Sequence, residues 1–109
     1  MRRLPALAAL ALLAGSAAAA TSAPAEAQAL AARNGCMACH GLVDKRVGPG
    51  FAQVAGRYRD DPAAPAQVAE RIRNGSVGQW GRVNMPRQPQ LSEATALLLA
   101  RWVLAQPTP

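Results

Sequence analysis

The sequence predicts an all-α protein. Three observations carry this expectation. Apolar residues recur at helical spacing, predicted helices close on glycine or proline, and no stretch alternates apolar with polar residues as a half-buried strand would. Residues 21–25 read as a short flexible lead. Residues 26–34 read as a helix of good formers, with Glu26 in the first turn, Arg33 in the last and Asn34-Gly35 as its stop. Residues 41–50 are a loop closed by Gly48-Pro49-Gly50. A short helix follows over 51–58, broken by Asp60-Asp61-Pro62. Residues 65–73 form another helix, with Val68 and Ile72 four apart and Asn74-Gly75 at its end. Residues 76–91 are a loop rich in Gly, Pro and Asn. Ser92 caps a last helix that carries Glu93 in its first turn, and Ala94, Leu97, Leu98, Trp102 and Ala105 are expected on its buried face.

The 109 residues allow one domain. The start of the chain reads as an export signal over 1–20. Arg2 and Arg3 form a positive n-region, residues 4–14 an apolar stretch, and Ala18-Ala19-Ala20 a small-x-small cleavage site that leaves Thr21 first. Sites at 17–19 and 23–25 are rivals, and no convincing twin-arginine pattern follows Arg3. The alternative, an uncleaved anchor, would need roughly 20 apolar residues, which the stretch does not reach. The remaining domain, 21–109, is small. Half of the whole chain is hydrophobic, yet much of that is alanine and only 4% is aromatic. A domain this short with so few large side chains commonly leans on a cofactor, metal or disulfide.

Formal charge is +6, or about +4 once Arg2 and Arg3 are set aside. The remaining basic residues are scattered rather than gathered into a stripe. That pattern speaks against nucleic acid and leaves an acidic protein partner as one reading.

Cys36-Met37-Ala38-Cys39-His40 is a C-x-x-C-H motif, the attachment signature of c-type haem. Two thiols three residues apart in a local helical turn can reach both vinyl groups on one porphyrin edge and become thioethers. The next residue then offers its imidazole to the iron. A thioredoxin-type redox pair would require a βαβ setting, and a structural zinc site would require four ligands where two Cys and one His exist. A Cys36–Cys39 disulfide would leave His40 unexplained. The pattern therefore points to one covalently attached haem c.

His40 is the only histidine, so the second axial position falls to methionine, a weaker group, water or nothing. Met1 belongs to the signal, and Met37 lies between the cysteines. Met85, in Val83-Asn84-Met85-Pro86, remains as the candidate, against the alternative of a gap-filling core methionine. A thioether ligand would favour the ferrous state, raise the potential and fill the coordination sphere.

With these motifs the chain resembles the short class I cytochromes c of the bacterial periplasm. The resemblance runs from about residue 27 to 106. It rests on Asn34-Gly35-Cys36 through His40, Val47-Gly48-Pro49-Gly50, Arg71-Ile72-Arg73-Asn74-Gly75-Ser76, Trp80-Gly81, Met85-Pro86 and Arg101-Trp102-Val103-Leu104. It implies the cytochrome c fold, about four short helices wrapped around the haem, with the terminal helices crossing where Gly35 and Trp102 would meet. It further implies that the Pro49 carbonyl accepts from the His40 imidazole, and that Trp80 and Arg71 hold haem propionates. Two departures stand out. Ala31 beside Leu30 replaces a first-helix aromatic, which implies a looser crossing, and Gln88 falls where the family often places a donor to the methionine sulfur.

The function implied is one-electron transfer in the periplasm as a monomer or in transient complexes. No nucleophile or acid–base pair argues for an enzyme. Lys45, Arg46, Arg82 and Arg87 lie in the two loops expected beside the haem edge, where they would steer an acidic redox partner. The alternatives are a dedicated subunit of a periplasmic oxidoreductase and an open-site haem sensor or enzyme.

Overall fold

A computed structural model describes residues 1–12, 15 and 21–109. The proposed cleavage site at 18–20 lies outside the described residues. Five helices follow in order: α1 (Ala23–Arg33), α2 (Cys36–Cys39), α3 (Phe51–Arg57), α4 (Ala64–Asn74) and α5 (Glu93–Leu104). Among the described residues there is no strand, only isolated bridges joining His40 to Lys45 and Ser76 to Met85.

Helix α1 starts three residues before the expected position, so the lead shrinks to Thr21 and Ser22. The Ser22 hydroxyl accepts from the Ala25 N–H, and Pro24 stands in the first turn, where its missing N–H costs no helical bond. Asn34 closes the helix, with both its backbone N–H and its side-chain amide donating to the Leu30 carbonyl. Gly35 then takes φ +72°, the left-handed conformation that turns the chain into α2. The crossing does not explain Gly35, since a Cβ there would meet nothing within 4 Å. Ala27 and Ala31 close the crossing instead. Both are fully buried and pack with Leu91 and Leu99 of the α5 region, with Leu98 and Trp102 alongside.

Helix α5 is the spine of the fold and touches α1, α3 and α4. The Ser92 hydroxyl caps it by accepting from the Thr95 N–H at 3.0 Å. Its buried residues are Ala96, Leu99, Ala100 and Val103, which corrects the expected face. Leu97, Leu98 and Trp102 are only partly covered, and Ala94 and Ala105 are exposed. With three helices packed around α5, no single stripe describes what it buries.

Helix α3 begins at Gly50, whose N–H donates to the Gln53 side chain, and it buries Phe51, Ala52, Val54 and Ala55. Helix α4 buries Ala64, Val68 and Ala69, and Ile72 packs beside them. Eight of the fourteen buried apolar residues among those described are alanine, so the protein core is thin, as the composition suggested.

Candidate functional site

The apolar residues surround a cavity that opens to solvent, its empty space about 1130 Å³ with the solvent at its mouth included. Cys36, Cys39, His40, Pro49, Arg71, Trp80, Met85 and Gln88 all line it, so the structure gathers into one place every site residue expected from the sequence.

The cysteines come from α2, a single helical turn that places residues three apart on one face. They are not joined by a disulfide. Cys39 is exposed and Cys36 half-buried, and burial pushes the Cys36 thiol up from its ordinary pKa. Among the described residues no group of three or more His, Cys, Asp and Glu side chains is placed to hold a metal ion.

The imidazole of His40 is fixed from three directions. Its Nδ1–H donates to the Pro49 carbonyl at 2.7 Å, which leaves Nε2 as the free ring nitrogen. Its plane stacks on Phe51 with centroids 5.0 Å apart at 23°. Phe51 in turn meets Trp102 edge-on at 5.4 Å. On another side the ring lies against the backbone of Gly48, where a Cβ would come within 2.7 Å of the ring carbon Cε1. The sequence singled out Pro49 but not Gly48 or Phe51 as partners of His40, because neither contact leaves a local signature.

Met85 reaches the cavity from the long loop. It is held by a two-bond bridge: its N–H donates to the Ser76 carbonyl at 2.9 Å, and the Ser76 N–H donates back at 3.1 Å. Beyond it, the Gln88 N–H donates to the Arg73 carbonyl, and the Gln88 side-chain oxygen accepts from Gln90. Arg71 donates to the Tyr58 hydroxyl at the cavity wall. Lys45, Arg46, Arg82 and Arg87 are exposed on the two loops and do not line the cavity.

A profile of the family described as Cytochrome c matches residues 24–106. The chain belongs to the cytochrome c family. It is 44% identical over 72 residues to cytochrome c-551 of Pseudomonas aeruginosa, covering 66% of this chain and 68% of that one. It is 45% identical over 76 residues to cytochrome c-552 of Hydrogenobacter thermophilus, covering 70% and 76% respectively. The crystal structure of Nitrosomonas europaea cytochrome c552 superposes with a TM-score of 0.71 at 39% identity, covering 73% of this chain and 99% of that one. The all-α cytochrome c fold, a single covalently attached haem c and electron transport follow from this membership. The residues present fit that cofactor. The cavity is mostly apolar in lining, two thiols stand on one helical turn at its wall, and a free imidazole nitrogen and a thioether belong to the same space.

Proposed function

We propose that this cytochrome is a periplasmic one-electron carrier whose haem is bound through Cys36 and Cys39, with His40 and Met85 as axial ligands. The single observation that carries the reading is the shared cavity. His40 and Met85, 45 residues apart, line one apolar space, and each is tied down by the backbone: His40 through Pro49, Met85 through Ser76. Haem supplies a one-electron iron couple. The protein's part is to hold the ligands still through the redox cycle. The Pro49 bond fixes the imidazole's tautomer and raises its basicity. The methionine thioether favours the ferrous state, and the apolar walls exclude water. Trp80 and Arg71 stand at the cavity wall with an indole N–H and a guanidinium suited to the haem carboxylates.

The visible spectrum of the oxidised holoprotein tests the ligand pair. The ferric methionine–iron charge-transfer band is expected, and Met85→Ala should abolish it. Its absence from the unmodified protein, or ready binding of carbon monoxide to the reduced native protein, refutes Met85 ligation and favours an open-site haem protein.

Residues 1–20 act in this reading as a cleaved export signal. Cleavage after Ala20 retains Ser22, the cap of α1, whereas cleavage after Ala25 would remove it. Among the described residues no helix is long and apolar enough to cross a membrane. The docking face is the cavity mouth. Val47 and Val83 line the cavity yet are 48% and 66% exposed, and Lys45, Arg46, Arg82 and Arg87 share their loops. An apolar centre with a basic surround suits an acidic redox partner. The bimolecular electron-transfer rate should therefore fall as salt rises. A flat salt dependence removes the steering role.

A further inference from the structure

The segment that carries Trp80 has little of its own to hold it. Among the described residues no backbone–backbone hydrogen bond outside the helices involves residues 77–84, between the Ser76–Met85 bridge that brackets them. Gly78 and Gly81 flank the tryptophan at φ +72° and +115°, conformations that add freedom rather than restraint. Trp80 itself packs against the cluster of Phe51, Val54 and Val103, and one polar side chain reaches into this stretch from elsewhere. Arg57, in the last turn of α3, donates to the Gln79 carbonyl at 2.6 Å. The same guanidinium lies over the Trp80 ring with its central carbon 4.4 Å from the ring centroid. The two contacts are geometrically linked. A planar fork can bond a carbonyl in its own plane and present its face to an aromatic ring, whereas a lysine ammonium is a point charge on a flexible stem with no face to stack.

Helix α3 therefore works as a short strut. At its first residue Phe51 packs on the His40 imidazole, and at its last Arg57 holds Trp80. We infer that Arg57 is a positioning residue for the haem, clamping Trp80 so that its indole N–H is presented to the cofactor's carboxylate edge. This rests on the proposed carboxylate role of Trp80. Arg57 does not line the cavity, so its action runs through Trp80 and through its charge. That charge opposes the additional positive charge of the ferric state and so favours reduction.

The test uses ¹⁵N-labelled ferrous holoprotein and follows exchange of the two indole N–H groups with water, Trp102 serving as the internal reference. Trp80 should be protected in the unmodified protein. In Arg57→Gln its exchange should accelerate roughly tenfold, which corresponds to ~1.4 kcal/mol, with Trp102 unchanged and the reduction potential lower. Arg57→Lys should recover the potential, which reads charge, but not the protection, which reads the fork. Equal protection of Trp80 in Arg57→Gln overturns the clamp while leaving Trp80's own role standing. Acceleration of both indoles overturns it too, because the effect is then general loosening. A Trp80 indole unprotected in the unmodified protein overturns the carboxylate reading, and the clamp falls with it.

Discussion

Replacing Gly48 by alanine puts the His40 anchorage under direct stress. A Cβ at this position would lie 2.7 Å from Cε1, 3.1 Å from Nδ1 and 3.2 Å from Nε2 of the imidazole. Comfortable carbon–carbon contact is about 3.5–4.0 Å, so the overlap with Cε1 approaches 1 Å. The ring cannot retreat freely, because Phe51 stacks behind it and the Pro49 carbonyl holds Nδ1 at 2.7 Å. Relief must come from moving the 41–50 loop or from lengthening the Pro49 bond. Overpacking of this kind costs about 1–3 kcal/mol, and a weakened hydrogen bond adds roughly 0.5–1.5 kcal/mol. A loss near 2–4 kcal/mol lowers the melting temperature of a domain this size by on the order of 10–20 °C. The potential should move as well. An imidazole that loses its carbonyl acceptor is less basic, stabilises the ferric state less, and so raises the reduction potential. Thermal unfolding and equilibrium redox titration of the holoprotein measure both. A variant with unchanged melting and unchanged potential refutes the claim that the imidazole is wedged against this backbone.

The other perturbations probe packing and backbone. Phe51→Ala removes the ring that joins His40 to Trp102, and should cost about 3–5 kcal/mol. Denaturant titration would show this as a lower midpoint at unchanged slope, and a loss under 1 kcal/mol would mean that the stack carries little. Asp60 adopts φ +63°, the left-handed region, in the turn between α3 and α4. Asp60→Gly should stabilise by about 0.5–1 kcal/mol, and a destabilised variant would reveal a side-chain interaction outweighing the backbone relief.

What could be read from the sequence was what is local. Cys36, Cys39 and His40 announce themselves because thioether spacing and imidazole placement are fixed within one helical turn. Counting a single histidine and three methionines then left Met85 as the proposed second ligand, and the fold brings it to the same cavity as His40. Ser92 and Asn34 were legible as helix ends because capping chemistry acts over three or four residues. Contacts between segments left no such trace. The start of α1 lies three residues before the expected one, because Ser22 caps the helix and Pro24 is tolerated in its first turn. The buried face of α5 was misread because periodicity assumes one packing partner, and this helix has three. Gly48 and Arg57 look like an ordinary loop glycine and an ordinary surface arginine until His40 and Trp80 are folded against them.

Helix α5 makes the relation between core and cofactor concrete. Leu99 joins the buried cluster with α1, Ala96 and Ala100 the cluster with α4, and Val103 the cluster with α3. The three clusters share edges through Ile72, Tyr58 and Trp102, yet Leu99, Val68 and Val103, one residue from each, also face the cavity. The apolar side chains therefore point partly at one another and partly at the space reserved for the haem. A chain whose buried residues are mostly alanine gains little from the first kind of contact, since each removes little area from water. A large flat cofactor adds apolar area to all three clusters at once. Its loss should then destabilise the whole domain rather than one loop. In the proposed site the residues that seal the core would also keep water from the iron, so stability and electron transfer would rest on one set of contacts.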